Sequence, residues 1–93
     1  MEIKHKSEGN KGRFYIEENH EIIAEMTYVW AGDTRIIIDH TEVDSSLKGQ
    51  GIGKKLVAEA VQFAREKGIK IMPLCPFAQA VFDKEKEFSD VLF

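Results

Sequence analysis

The spacing of apolar residues changes halfway along the chain, from short strand-like runs to a helical period. In the first half, β-branched and aromatic residues form runs separated by turn signals, which is typical of antiparallel strands. These runs predict strands over residues 13–17, 21–30 and 34–43, and residues 3–7 predict a short leading strand. Glu-Asn-His and Ala-Gly-Asp interrupt the runs and supply turns, so we expect an antiparallel meander.

In the second half, apolar residues recur every three or four positions between residues 51 and 67, and polar residues fill the other positions. This period predicts an amphipathic helix, and Gly68 is suited to end it because glycine takes the left-handed conformation without strain. Residues 69–74 then predict a short strand. Since strand, helix and strand connect by a right-handed crossover, this strand is expected to lie parallel to residues 34–43.

A second helix is predicted after Cys75, because Pro76 stands where the first residue of a helix tolerates proline. It runs through residues 77–84 or beyond, and residues 89–93 form a tail whose apolar side chains pack against the rest. The expected fold class is therefore α/β, equally described as α+β. We expect one domain over residues 1–93, with a mixed, mainly antiparallel sheet of about five strands and two helices.

Composition narrows the class of function. Hydrophobic residues make up 43% and charged residues 31% of the 93 residues, as in an ordinary globular protein, and the net charge of -3 argues against a general nucleic-acid binder. No apolar run approaches the roughly 20 residues that cross a bilayer, the first residues lack a signal-peptide core, and Cys75 is the single cysteine. These features predict a cytoplasmic protein without nucleic-acid or membrane partners. Charged Glu2, Lys4 and Lys6 at the predicted sheet edge favour a monomer.

Lysines crowd the start of the longest predicted helix, where the sequence from Lys48 to Lys55 reads Lys-Gly-Gln-Gly-Ile-Gly-Lys-Lys. Helix N-termini normally favour Asp and Glu, because the first turn carries unpaired N–H groups and the positive end of the macrodipole. Lysines there indicate an external anion, and the glycines let the backbone approach it closely. We interpret this basic glycine loop as a site for phosphate or pyrophosphate.

Two common nucleotide motifs do not fit the loop, and a third pattern does. Walker A needs Ser or Thr where Lys55 stands, and the dinucleotide fingerprint needs Gly where Lys54 stands. The strand, short connection, basic glycine loop and helix that remain resemble the acetyl-CoA pyrophosphate loop of the GNAT superfamily of N-acetyltransferases. That signature is Arg or Gln, two residues, Gly, one residue, then Gly or Ala, and this chain has Lys48 at its first position.

The flanking segments make the chain similar to the compact, single-domain YjdJ-type branch of that superfamily. They are His-Thr-Glu-Val at 40–43 and Pro-Leu-Cys-Pro-Phe at 73–77, and the resemblance covers roughly residues 12–88. Members often carry a His-Pro-Glu-Tyr-like segment after the last helix, whereas this chain has Glu-Lys-Glu-Phe at 85–88. Any role of that histidine in an acceptor site is therefore not carried over to this chain.

The resemblance implies acetyl-CoA as the cofactor, and it implies where the cofactor lies. The pantetheine arm would pair with the strand before the loop, at residues 41–43, and the pyrophosphate would take N–H groups from residues 50–54. The acetyl group would lie between residues 41–43 and the strand end at 74–75. The residues expected to bind the cofactor are Thr41, Val43, Lys48, Gly49, Gln50, Gly51, Ile52, Gly53 and Lys54.

Three residues are candidates for catalysis. Cys75 is predicted at a helix N-terminus and at the carboxyl end of a parallel strand, where a thiolate could accept the acetyl group or assist proton transfer, although free cysteine is often only a small buried hydrophobe. Glu42, as a partly desolvated carboxylate, could take the proton of an attacking ammonium, and His40 could serve instead. Alternation puts His40 and Glu42 on one face of the strand and Thr41 and Val43 on the other. No metal is expected, because no histidines and carboxylates have the helical spacing of metal ligands.

The expected function is acetyl-CoA binding and acetyl transfer to an unidentified amine, either a small molecule or a protein lysine. The first alternative is a CoA-binding sensor or interaction module without turnover. The absent histidine segment and the lack of the extra helices that build an acceptor pocket in longer GNAT enzymes favour this alternative. The second alternative is a small interaction domain whose glycine loop holds some other anion.

Overall fold

The chain forms a five-stranded sheet in which strands that follow one another in sequence are also neighbours in space. The computed structural model describes residues 2–93. The sheet order is β1-β2-β3-β4-β5, with antiparallel pairing among the first four strands and parallel pairing between β4 and β5. The strands are β1 (Lys4–Glu8), β2 (Lys11–Glu18), β3 (Glu21–Trp30), β4 (Arg35–Val43) and β5 (Lys70–Pro73).

Two α-helices and two 3₁₀ segments complete the fold. Helix α1 (Ile52–Lys67) forms the crossover between β4 and β5, and α2 (Pro76–Lys84) follows β5. The 3₁₀ segments are Ser45–Leu47, before the glycine loop, and Lys86–Val91, after α2. The predicted meander, the parallel crossover and the start of the second helix at Pro76 are confirmed. No helix in residues 2–93 is both long and apolar enough to cross a membrane.

The differences from the predicted boundaries have local causes. Strand β2 begins at Lys11 rather than at residue 13, because Gly9, with φ of 62°, closes a tight hairpin and lets Glu8 pair with Lys11 at once. The apolar side chains of residues 89–93 were expected to pack, and this is correct only for Val91, which is buried. Leu92 forms a backbone bridge to Ile71, but the side chains of Leu92 and Phe93 are exposed. The 3₁₀ segment that contains most of this tail was not predicted.

One hydrophobic core joins the helices to a single face of the sheet. The core contains Ile36 and Ile38 from β4 and Leu56 and Val57 from α1, and all four side chains are fully buried. The register between β3 and β4 shifts after Ile38. Tyr28 pairs with Ile38 and Thr27 pairs with His40, so Asp39 is an extra residue in β4 that forms a bulge.

The bulge at Asp39 resets which residues of β4 face the core. After it, Val43 packs against the core while His40 and Glu42 are exposed on the other side, which confirms the predicted division of these residues between two faces. We call the side of the sheet turned away from the helices the open face. Its rows across β1 to β4 are Lys4, Tyr15, Glu25 and Glu42, then Lys6, Arg13, Thr27 and His40, then Glu8, Lys11, Val29 and Ile37.

Candidate functional site

The glycine loop presents a row of free backbone donors at the start of α1. Gly49 and Gly51 have φ of 81° and 68°, the left-handed region that glycine enters most easily, and Gly51 is the N-cap of the helix. Within residues 2–93, the amides of residues 51–54 have no hydrogen-bond acceptor, and no side chain caps the helix. Four consecutive N–H groups at the positive end of a 16-residue helix form a donor set suited to an anion.

The other residues of the glycine loop differ in which groups they can present to a ligand. The Gln50 amide already donates to the Leu47 carbonyl at 3.3 Å, so the expected donor set of residues 50–54 narrows to residues 51–54. Ile52 is buried in the core, so it can contribute only its backbone to a ligand. A side chain at Gly49 or Gly51 would point into open space, so these two glycines serve backbone conformation.

The absence of a side chain at Gly53 serves helix packing, while its backbone amide stays free for a ligand. A Cβ atom at this position would overlap Cζ of Phe77, in the first turn of α2. The absence of a side chain at Gly53 therefore lets the Phe77 ring lie against the beginning of α1. The contact between Phe77 and Gly53 was not predicted, because it depends on how the two helices pack and no local sequence pattern signals it.

The three lysines of the loop are not equivalent. The Lys54 ammonium lies 3.2 Å from a carboxylate oxygen of Glu85, the residue that ends α2. This contact lowers the pKa of the Glu85 carboxyl, whose side chain is only 14% exposed. Lys48 and Lys55 are exposed, and neither forms a salt bridge within residues 2–93. They are the loop cations available to a bound anion, whereas Lys54 offers mainly its amide.

Strands β4 and β5 separate immediately beyond Ile38. The Leu74 and Cys75 amides both donate to the Ile38 carbonyl, at 2.9 and 3.2 Å, and pairing between the two strands ends there. The predicted strand over residues 69–74 is therefore observed only over Lys70–Pro73. Beyond this point, the β4 segment that contains Thr41 has β3 on one side and no strand on the other.

Cys75 lies at the mouth of this gap, at the N-cap of α2. Its sulfur accepts the Ala78 amide at 3.3 Å and lies 3.3 Å from the Thr41 hydroxyl oxygen. The residue is 8% exposed, and exposed Leu74 and Phe77 flank it along the chain. A thiol that caps a helix receives N–H donation and a favourable dipole, both of which stabilise developing negative charge on sulfur. Sequence reasoning named Thr41 for its backbone and missed its side-chain contact with Cys75.

Glu42 and His40 lie on the open face, on the other side of β4 from Cys75. Glu42 pairs directly with Glu25 of β3, and the two carboxylates border a cavity of about 280 Å³. Glu25 is neutralised by Arg13, whose guanidinium lies 2.9 Å from its carboxylate. Glu42 is exposed and has no salt-bridge partner within residues 2–93, so the partial desolvation expected from the sequence is not found.

The structure therefore brings only some of the candidate residues together. Cys75 contacts Thr41, and the free amides of the loop lie at the start of the helix that Phe77 touches. His40 is exposed opposite Thr27 and does not contact Cys75. Beyond Ile38, β4 has no strand paired to it on the side where β5 ends and Cys75 begins α2.

Comparison with known proteins agrees with this geometry. The family model of the GCN5-related N-acetyl-transferases matches residues 13–91. The chain is 40% identical to a proposed GCN5-like N-acetyltransferase from Staphylococcus aureus whose solution structure is known. The match covers 97% of this chain and 87% of that one, with a TM-score of 0.73. Among curated protein sequences, none matches significantly.

More distant structures share the fold over part of their length. A predicted acetyltransferase from Clostridium acetobutylicum, solved with acetyl-CoA, is 22% identical with a TM-score of 0.66, over 81% of this chain and 56% of that one. A ribosomal-protein-alanine N-acetyltransferase from Brucella melitensis is 13% identical with a TM-score of 0.66, over 84% and 62%. The family match and the 40% identity over nearly the whole chain show that this protein belongs to the GCN5-related N-acetyltransferase family.

Proposed function

We propose that this protein binds acetyl-CoA and transfers the acetyl group to an amine. The observation that carries the proposal is the alignment of two features along one edge of β4. The four free amides of residues 51–54 can hold the pyrophosphate, and the unpaired edge of β4 leads from them towards Thr41 and Cys75. Lys48 and Lys55 supply the positive charge that the pyrophosphate needs.

The pantetheine arm is proposed to lie along the β4 edge at Thr41 and Val43, where no strand competes for the backbone. This placement brings the thioester to the mouth of the gap, beside the Cys75 sulfur and the Thr41 hydroxyl. Cys75 is proposed to contact the thioester, and the chemistry does not require it to become acetylated. An amine can attack the thioester carbonyl directly, with CoA leaving as its thiol.

Glu42 is the proposed general base, with His40 as the alternative. An ammonium must lose a proton before it can attack, and the carboxylate of Glu42 can accept that proton on the open face. Glu42 faces a second carboxylate, Glu25, and Arg13 neutralises only one of the pair. Because Arg13 already neutralises Glu25, Glu42 is the carboxylate of the pair that remains free to attract an ammonium. An amine that enters from the open face would meet the thioester through the gap beyond Ile38.

One observation favours a second function, the binding of acetyl-CoA without turnover. Glu42 is exposed and lies on the opposite face of β4 from Cys75, so the proposed base is not preorganised next to the thioester. A sensor or interaction module would need the loop and the β4 edge and would not need Glu42 or His40.

Titration with CoA and acetyl-CoA, followed by a turnover assay, separates these functions. Binding to the native protein, together with thiol release in the presence of an amine panel, supports acetyl transfer. We expect Glu42→Gln to lose thiol release and keep CoA binding, and Glu18→Gln, at the exposed end of β2, to change neither. Binding without thiol release leaves the sensor function, and no binding at about 1 mM CoA removes both CoA functions.

A further inference from the structure

A partly exposed aromatic ring lies against the beginning of α1, directly beside the glycine loop. This ring belongs to Phe77, in the first turn of α2, and its tip faces Gly53, where a Cβ atom would overlap Cζ. Within residues 2–93, the Phe77 ring pairs with no other aromatic ring, and the residue is 44% exposed. The contact with Gly53 therefore places the ring and leaves much of its apolar surface in water.

The position of Phe77 joins the two parts of the proposed cofactor site. The amide of Gly53 is one of the free donors of residues 51–54, so the tip of the ring lies beside the proposed pyrophosphate site. At the other end, Cys75 is the N-cap of the same helix, and its sulfur lies 3.3 Å from the Thr41 hydroxyl oxygen. A ligand that extends from the free amides to Cys75 therefore has this ring along its path.

The glycine loop by itself cannot distinguish one pyrophosphate-containing molecule from another. Backbone N–H groups and the ammonium groups of Lys48 and Lys55 respond to negative charge, which ADP and ATP carry as well as CoA. CoA differs in its pantetheine arm, which begins with geminal methyl groups one methylene beyond the pyrophosphate. Because apolar surface gains free energy when it leaves water, an exposed ring at this position favours a ligand that carries those methyl groups.

We infer that Phe77 binds the geminal methyl groups of CoA and thereby selects CoA over other adenine nucleotides. This inference rests on the proposed function, and it adds a binding residue and a basis for selectivity. The absence of a side chain at Gly53 is what lets the ring lie so close to the pyrophosphate site. If the methyl groups cover about half of the exposed ring surface, the contact strengthens binding about five- to tenfold.

Calorimetric titrations with CoA and with 3′-phospho-ADP, the part of CoA that ends at the pyrophosphate, test the inference. We expect Phe77→Ala to weaken CoA binding about five- to tenfold and to change 3′-phospho-ADP binding by less than about twofold, because only CoA has the methyl groups. Phe77→Leu keeps an apolar side chain and should lose less CoA affinity than Phe77→Ala.

Phe93→Ala is the matched control, because it also removes an exposed aromatic ring. Phe93 is 59% exposed, its ring lies under the Arg35 guanidinium, and its amide donates to the Ile71 carbonyl near the beginning of β5. Cys75 and α2 follow the other end of that strand, so Phe93→Ala should change the affinity for neither ligand.

An NMR experiment on the native protein with bound CoA reports the contact directly. We expect nuclear Overhauser effects between the ring protons of Phe77 and the geminal methyl protons of CoA. The methyl signals should also shift upfield on binding, and this shift should disappear in Phe77→Leu, which has no aromatic ring. A ring that only packs against Gly53 would produce neither signal.

The outcomes separate this inference from the proposed function. Equal weakening of CoA and 3′-phospho-ADP in Phe77→Ala would show that the ring only supports the loop, and it would overturn the inference. Unchanged CoA affinity in that variant, or CoA bound without the Overhauser effects, would also overturn it and leave the proposed function standing. Failure of the native protein to bind CoA removes the proposed function together with this inference, and that titration is done first.

Discussion

Gly53 and Phe77 form the contact that joins the starts of the two helices. A methyl group at residue 53 would overlap the Phe77 ring, and because that side chain is 44% exposed, the ring can move away at the expense of its packing. We expect Gly53→Ala to lower the free energy of unfolding by about 1–3 kcal/mol, measured by urea denaturation. In a Phe77→Ala background the same change should cost much less. Equal costs in both backgrounds would show that Phe77 is not the cause.

Cys75 has a structural role that can be separated from its proposed chemistry. Its sulfur caps α2 by accepting the Ala78 amide, so Cys75→Ala should destabilise the protein by about 1 kcal/mol, the usual cost of losing an N-cap acceptor. Cys75→Ser keeps an acceptor and should recover most of that stability. If contact with the thioester matters, both variants will lose acetyl transfer. Normal activity in the serine variant would limit Cys75 to helix capping.

At the scale of elements, the end of α2 restrains the beginning of α1 through Glu85 and Lys54. Removing the charge of Glu85 frees the Lys54 ammonium to turn towards a bound pyrophosphate. We expect Glu85→Gln to tighten CoA binding about two- to fivefold, as measured by calorimetry, because exposed ion pairs contribute modestly. Glu66→Gln, at the other end of α1, serves as the charge-matched control. Weaker CoA binding in Glu85→Gln would show that the ion pair holds Lys54 in its binding position.

Elements with strong local signals could be predicted from the sequence, and long-range contacts could not. Strand β3 was predicted with both of its ends, and Pro76 marked the start of α2, because turn residues and proline act through neighbouring backbone. The bulge at Asp39 was missed, since it depends on the register with β3. The glycine loop, in contrast, could be predicted from its local composition. The pairing of Lys54 with Glu85 depends on how two distant elements pack.

Across the whole molecule, the sheet has one covered face and one open face. On the covered face, a single core includes residues from four of the five strands, both helices and the last 3₁₀ segment. The open face keeps its charged side chains in water, where they are available to a partner. This division leaves the unpaired edge of β4 available for the proposed cofactor.

The covered face also makes stability depend on pH through His5 of β1. Its ring stacks on Phe14 at 4.2 Å and lies within hydrogen-bond distance of the Tyr28 hydroxyl, at 2.7 Å. Burial lowers the pKa of His5, with nearby Glu59 opposing the shift and Lys67 assisting it. The unfolded chain therefore takes up a proton before the folded one. The free energy of unfolding should fall as the pH drops from about 6.5 through the lower folded pKa.

A urea titration at about pH 7 and about pH 5.5 measures this effect, because the carboxyls of Glu85 and Asp90 have lowered pKa values and titrate at more acidic pH. The native protein should have a lower midpoint at the acidic pH, and the loss should be small because the ring is partly exposed. His5→Gln should be less stable at neutral pH and less sensitive to this change in pH. His20→Gln, in an exposed turn, should behave like the native protein. Unchanged pH sensitivity in His5→Gln would assign the effect to another group.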